Sequence, residues 1–143
     1  MNNDVIRREI FIHSSIKNVW EAISRPAWWV GDAPGPDNVE VTGSRIVADT
    51  KYGKFPVLIE REEPPNYLVC RWSSSFPGEE PEKGNSTLVE FNLEEVDGGT
   101  WVRVIESGFA SLPVSGEKQR KYRQGNAEGW ESQLNVLREK TTE

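Results

Sequence analysis

Apolar and polar residues alternate along several segments of the chain. Residues 5–12 show this alternation, and within residues 87–94 the apolar Val89, Phe91 and Leu93 are separated by polar residues. A period of two is typical of a strand with one face in a core and the other in water. Other segments rich in β-branched and aromatic residues predict further strands over residues 39–42, 45–50, 52–62, 67–72 and 101–109.

Glycine, proline and asparagine mark the connections between these segments. Residues 31–36 and 73–85 predict loops, and residues 64–66 predict a turn. The sequence Asp-Gly-Gly at residues 97–99 predicts a hairpin turn that needs a positive φ angle. Most of the predicted strands are therefore expected to pair with their neighbours in the chain.

Helical spacing of apolar residues appears before and after the strands. Residues 16–24 predict a short helix that Ser14 or Ser15 can cap, and Pro26 can open a further helical turn that continues through Trp29.

A longer helix is predicted over residues 117–140. Tyr122, Trp130, Leu134 and Leu137 form one apolar stripe along it. Strands that run together between helices indicate an α+β fold, with the long C-terminal helix on one face of the sheet.

The composition limits the classes of function. The 143 residues suit a single domain over residues 1–143, and the net charge of −6 repels phosphate backbones and anionic lipid. We find no run of about twenty apolar residues that could cross a bilayer and no secretory signal at the start. The sequence therefore disfavours a nucleic-acid partner and membrane insertion, and it predicts a cytoplasmic location.

Candidate metal ligands and nucleophiles are scarce. Cys70 is the only cysteine and His13 the only histidine, so neither a disulfide nor a zinc site is expected. Cys70 shares strand parity with Leu68 and Trp72, which predicts a buried thiol, whereas His13 is expected at the surface. The sequence predicts no metal, no cofactor and no catalytic residues, which favours a protein without enzymatic activity.

The order of these elements, together with several short motifs, resembles the SRPBCC superfamily with its START-like helix-grip fold. Within that superfamily the chain is most similar to the AHSA-type family, named after the C-terminal domain of the activator of the 90-kDa heat-shock protein ATPase. The motifs that carry the resemblance are Val19-Trp20, Trp28-Trp29, residues 68–72, Gly99-Thr100, residues 106–109, Asn126, Gly129, Trp130, Leu134 and Leu137.

The resemblance implies a curved antiparallel sheet around a long C-terminal helix, as in the birch-pollen allergen, with a cavity between sheet and helix. It does not imply one activity, because superfamily members include lipid carriers, hormone receptors, polyketide cyclases and co-chaperone domains.

The candidate ligand-binding residues are mostly large aromatics, which are typical of apolar sites that hold a few polar groups. Adjacent residues on a helix cannot share a face, so one residue of the Trp28-Trp29 pair is expected to pack inward and the other to line the mouth. The full set is Trp28, Trp29, Phe55, Trp72, Phe91, Glu106, Asn126 and Trp130.

Two polar residues of this set have two interpretations each. Glu106 shares strand parity with Val102 and Val104, so it can serve a ligand as an anchor or an acid/base group. Alternatively, it meets water or Arg71 at the strand end. Asn126 can hydrogen-bond across to the sheet or to a ligand.

Gly125 and Gly129 interrupt the final helix one turn apart, although each should lower its stability by about 1 kcal/mol relative to alanine. They permit close packing of the helix, leave room for a ligand, or do both.

Three functions follow from these observations. The first is non-enzymatic binding of a small hydrophobic ligand, such as a lipid, a polyketide or an aromatic metabolite, in the cavity. The second is a protein-interaction domain with a chaperone-like partner, resembling the ATPase activator. The third is a cyclase or hydrolase that uses Glu106 as its acid or base.

Overall fold

Seven strands and two α-helices make up the part of the chain that this computed structural model describes, which is residues 4–26, 28–30, 38–74, 76, 78–82 and 84–142. A short 3-10 turn, Phe109–Ser111, precedes the second helix. The elements in chain order are β1 (Val5–Ile12), α1 (Ile16–Ile23), β2 (Val39–Thr42), β3 (Arg45–Thr50), β4 (Gly53–Glu63), β5 (Tyr67–Trp72), β6 (Thr87–Val96), β7 (Gly99–Ser107) and α2 (Gly116–Thr141).

The strands form an antiparallel sheet in the order β1-β7-β6-β5-β4-β3-β2. Strands β2 to β7 pair with their chain neighbours, whereas β1 crosses to pair with β7. The register of β7 places Ile6 on one side of Glu106 and Val89 on the other. Cys70 is in turn paired with Val89, so the inner face of the sheet is apolar around this one acidic residue.

Helix α2 covers the inner face of the sheet along one stripe of side chains. Trp130, Leu134 and Leu137 are buried, and Tyr122 is half-buried. Ser115 caps the helix, because its hydroxyl accepts a hydrogen bond from the backbone N–H of Lys118. The predicted α+β helix-grip fold is therefore confirmed.

The observed elements differ from the predicted ones in their bounds and at one predicted helical turn. The strand predicted over residues 101–109 is β7, which runs over Gly99–Ser107, and Phe109 begins the 3-10 turn. Tyr52, predicted as strand, precedes β4. The helical turn expected after Pro26 is absent among the described residues, because residues 24–26 and 28–30 form turns and bends. Ser15, one of the two predicted caps, is the residue that caps α1. The loop predicted over residues 31–36 lies outside the described residues.

The hairpin between β6 and β7 requires glycine for two different reasons. Gly98 has a φ angle of +89°, which confirms the predicted positive φ. Gly99 has no such angle, but a β-carbon there would overlap the carbonyl oxygen of Ile12 on β1.

No helix in the described part of the chain combines the length and the apolar character that a bilayer crossing requires.

Candidate functional site

A pocket of about 470 Å³ opens beside the middle of α2. Its volume lies within the range of about 300–1,000 Å³ that is usual for small-molecule sites. The aromatic lining residues are Trp29, Tyr52, Phe55, Trp72 and Trp130. The remaining lining residues are Ser74, Gly125, Asn126, Gly129 and Gln133.

The wall of the pocket is a cluster of rings in mutual contact. The ring centroid of Trp29 lies 4.7 Å from that of Trp72 and 5.3 Å from that of Trp130, and Phe55 lies 5.8 Å from Trp72. These separations are typical of attractive aromatic pairs. Tyr52 is different, because 62% of its surface is exposed at the rim.

Glu106 lies behind this wall with 0% of its surface exposed. Its Oε2 accepts hydrogen bonds from Trp72 Nε1 at 2.9 Å and from Thr87 Oγ1 at 2.6 Å. Its Oε1 accepts one from Trp130 Nε1 at 2.8 Å. Asn126 Nδ2 lies 3.1 Å from Oε2 and 3.3 Å from Oε1. One carboxylate thus joins β5, β6 and α2 to β7.

Burial raises the pKa of Glu106 above its ordinary value, because the ionised form is removed from water. The hydrogen bonds from Thr87, Trp130, Trp72 and Asn126 act in the opposite direction, since they favour the charged form.

Arg71 does not compensate Glu106, which corrects the alternative considered above. Arg71 Nε forms an ion pair at 2.9 Å with Glu60, and its Nη1 donates to the hydroxyl of Ser86. Its strand parity is opposite to that of Trp72, so it projects from the outer face of the sheet. The recorded side-chain partners of Glu106 are therefore neutral hydrogen-bond donors.

Asn126 connects the final helix to both the sheet and the rim. Its Nδ2 donates to Glu106 and, at 3.1 Å, to Ser74 Oγ. This is the cross-connection to the sheet that was one of its two interpretations. The same residue also lines the pocket.

Gly125 and Gly129 face open space on the pocket side of α2. A β-carbon built on either residue meets no atom within 4 Å. Close packing of the helix therefore does not explain these glycines. The structure instead shows that the absence of two side chains enlarges the pocket.

Five of the eight predicted ligand-binding residues line the pocket, and the other three do not. The lining residues are Trp29, Phe55, Trp72, Asn126 and Trp130, whereas Trp28, Phe91 and Glu106 are outside the lining.

Trp28 and Phe91 lie outside the lining, and each has contacts elsewhere. Trp28 Nε1 donates to the carbonyl of Ile23 at 2.8 Å, and its ring centroid lies 5.9 Å from that of Phe91. Phe91 is completely buried against Trp130. Phe91 thus backs the wall, Trp28 packs against Phe91, and Trp29 is the member of its pair that lines the pocket.

Some residues of the site were not predicted from the sequence. Gln133 could have been found, because it continues the stripe of Gly125 and Gly129 at a spacing of four residues. Thr87 shares strand parity with Val89, so its position on the inner face could also have been predicted. Tyr52 and Ser74, which lie in connections between strands, carry no periodic signal.

Metal and thiol chemistry find little support among the described residues. They contain no group of three His, Cys, Asp or Glu side chains that could hold a metal ion. Burial raises the pKa of the Cys70 thiol to about 12, so it remains protonated and acts as a small apolar group. His13 is exposed, as expected.

A family model described as "Activator of Hsp90 ATPase homolog 1-like protein" matches residues 13–141. No curated protein matches the chain. The family match covers the pocket, the Glu106 network and the whole of α2.

Solved structures share the fold at low sequence identity. The Aha1 dimer from Colwellia psychrerythraea has a TM-score of 0.71 and 19% identity, over 96% of this chain and 95% of that one. Protein MLL2253 from Mesorhizobium loti has a TM-score of 0.69 and 20% identity, over 94% of each chain. DynU16, of the dynemicin biosynthetic locus, has a TM-score of 0.65 and 25% identity, over 95% of this chain and 46% of that one.

Proposed function

The chain belongs to the family of Activator of Hsp90 ATPase homolog 1-like proteins, and we propose that it binds a small, mostly apolar molecule in the pocket beside α2. The observation that carries this proposal is the pair Gly125 and Gly129. Both glycines weaken the helix, and neither is required by packing. A pocket maintained at the expense of helix stability is best explained by an occupant.

The chemistry of the wall supports the same proposal. Trp29, Phe55, Trp72 and Trp130 offer large apolar surfaces, while Asn126 and Ser74 supply a few polar atoms. Sites for small organic molecules usually combine these two features. The wall is also rigid, because its rings contact each other and two of its indoles are bonded to Glu106, so little conformational entropy is lost on binding.

The geometry argues against the cyclase or hydrolase hypothesis in the form considered above. Glu106 is fully buried, and its two oxygens already accept bonds from four side chains. A general acid or base must come within about 3 Å of the proton that it transfers. A ligand in the pocket meets the indoles of Trp72 and Trp130 before it reaches the carboxylate.

The proposal can be tested by nuclear magnetic resonance on the tryptophan indole N–H groups. We expect titration with a panel of neutral lipids, polyketides and aromatic metabolites to shift the signals of Trp29, Trp72 and Trp130. The signal of Trp101, on the outer face, serves as an internal control. A panel that leaves all the wall signals unchanged at saturating concentrations would contradict the proposal.

A blocking variant makes this test specific. Gly129→Phe places a ring in the open space beside the helix, so we expect it to abolish binding while the protein stays folded. Gln124→Phe is the matched control, because Gln124 lies on the same helix, is exposed and does not line the pocket. Binding that survives Gly129→Phe and is lost in Gln124→Phe would place the ligand elsewhere.

Contact with a chaperone of the Hsp90 class is a second candidate function, which the description of the family favours. The outer face of β7 offers Trp101, which is 36% exposed and packs edge-on against Phe11 at 5.3 Å. An unchanged rate of ATP hydrolysis by the chaperone, with no co-purification, would exclude this candidate.

We propose a cytoplasmic location for either function, since a lone buried thiol suits a reducing compartment.

A further inference from the structure

We infer that the pocket selects its ligand by charge, and that this ligand is an organic cation: an apolar body that carries a protonated amine or a quaternary ammonium group. The inference rests on the proposed function, because it concerns the same pocket. Its basis is the position of a buried carboxylate directly behind two rings of the aromatic wall.

The first step concerns what the two indoles offer to a ligand. Trp72 and Trp130 both direct their N–H groups at Glu106, at 2.9 and 2.8 Å. Neither N–H is therefore available to a ligand, which meets ring carbon atoms instead. The face of an aromatic ring carries partial negative charge. A hydrogen bond from the ring N–H to an anion makes this face more negative.

The second step concerns the charge of Glu106. The partners recorded for its two oxygens are the N–H groups of Trp72, Trp130 and Asn126 and the hydroxyl of Thr87. Indole and amide N–H groups can only donate, which is the environment expected around an ionised carboxylate. These donors oppose the burial that raises the pKa of Glu106. Once the pH exceeds that raised pKa, the pocket is bordered by a negative charge that water does not screen.

The third step concerns what is missing for an anionic ligand. None of the described lining residues is a lysine, arginine or histidine. Asn126 Nδ2, a donor that could have bound an anion, is already engaged with Glu106 and Ser74. A carboxylate or phosphate in the pocket would approach a like charge and find no counter-charge in this part of the lining.

The aromatic rings complete the argument for a cation. Several ring faces around one space form the arrangement that recognises quaternary ammonium groups in other proteins. At the rim, Lys51 Nζ already lies 5.2 Å from the ring centroid of Tyr52, so this aromatic face attracts a cation within the protein itself.

The test uses three probes with one body and different charges: phenylbutyltrimethylammonium, phenylbutanol and phenylbutanoate. Their affinities are measured by calorimetry on the intact protein at low salt, over a pH series from neutral to mildly alkaline so that Glu106 is ionised at its upper end. We expect the cation to bind most tightly and the anion most weakly, with about a tenfold or larger ratio between the two. The ratio of cation to anion affinity should fall only slightly at high salt, because the Glu106 carboxylate is buried and salt screens buried charges weakly.

Two variants assign the preference to its cause. Glu106→Gln removes the buried charge and should reduce the ratio of cation to anion affinity to about threefold or less. Glu60→Gln is the matched control, because it removes one negative charge from the outer face of the sheet, and it should leave the ratio unchanged. If Glu106→Gln does not fold, the ratio measured on the unmodified protein still decides the inference.

The outcomes separate this inference from the proposed function. Equal or tighter binding of phenylbutanoate overturns the charge preference while the proposed function stands. A preference for the cation that persists in Glu106→Gln overturns the role of the carboxylate. The failure of all three probes to bind contradicts both the inference and the proposed function.

Discussion

The two halves of helix α2 cover the same sheet in different ways. The half that contains Gly125, Asn126 and Gly129 borders an open pocket and directs polar atoms at a buried carboxylate. The half that contains Leu134 and Leu137 inserts apolar side chains into a filled core. The difference teaches that one helix can stabilise the fold at one end and leave room for a ligand at the other.

The filled end is further connected to α1. Asn18 Nδ2 donates to the carbonyl of Thr141 at 3.1 Å, and Val19 and Ile23 are buried in the same core as Leu137. No comparable helix covers the pocket end in the described part of the chain. Within α2, substitutions of Leu137 at the filled end and of Gly129 at the pocket end should therefore separate stability from binding.

The largest effect is expected for Glu106→Ala. It leaves the indole N–H groups of Trp72 and Trp130, together with Thr87 and Asn126, without their buried acceptor. We expect the free energy of unfolding to fall by about 3–5 kcal/mol, measured by urea denaturation followed by tryptophan fluorescence.

The control for this variant is Glu60→Ala, which breaks an ion pair that is partly exposed. It should lower the free energy of unfolding by less than about 1 kcal/mol. Equal losses of unfolding free energy in the two variants would show that the Glu106 network stabilises the fold no more than a partly exposed ion pair does.

A smaller loss of stability is expected for Leu137→Ala at the filled end. Leu137 is 2% exposed, so the truncation should leave a cavity and lower the free energy of unfolding by about 2–4 kcal/mol. The affinity of the pocket for a probe should not change. A parallel loss of affinity, measured by calorimetry well below the unfolding transition, would show that the two ends are coupled.

The pH dependence of stability should reveal Glu106 directly. Its pKa is raised in the folded protein, so between its unfolded and folded pKa values the folded state binds a proton more readily. The free energy of unfolding should therefore fall as the pH rises through this interval, by up to about 1.4 kcal/mol per pH unit, and then level off.

Glu106→Gln is the reference for this measurement, because it retains the shape and cannot ionise. The described groups that face Glu106 are Ile6, Trp72, Thr87, Asn126 and Trp130, and none of them titrates in this range. The difference in stability between the protein and this variant should therefore change with pH. A constant difference from acid to neutral pH would refute the raised pKa.

The smallest expected effect is a gain. Gly129→Ala should raise the free energy of unfolding by about 0.5–1 kcal/mol, because the new methyl group meets open space and alanine favours the helix. Gly99→Ala is the contrasting variant and should destabilise, since its methyl group would overlap Ile12. A loss of stability in Gly129→Ala would mean that the helix needs that glycine for packing.

Sequence periodicity predicted the elements well because each has one apolar face. The strands of the alternating segments and the stripe of Trp130, Leu134 and Leu137 were found in this way. The turn after Pro26 was wrongly predicted as helix, because a favourable residue at the first helical position does not supply the residues that must follow it.

The site was less predictable than the fold, because it depends on contacts between distant segments. Strand parity identified Glu106 as inward-facing, but it could not show that four donors from three other elements meet there. It also could not decide which residue of the Trp28-Trp29 pair reaches the pocket. The role of the two helical glycines became clear only from the empty space beside them.

The network around Glu106 has a consequence for how a molecule enters. Lifting α2 from the sheet would break the bonds of Asn126 and Trp130 to the carboxylate at the same moment. Losing both bonds together is costly, so we expect a molecule to enter at the opposite side of the pocket, where Tyr52 is exposed in the turn between β3 and β4.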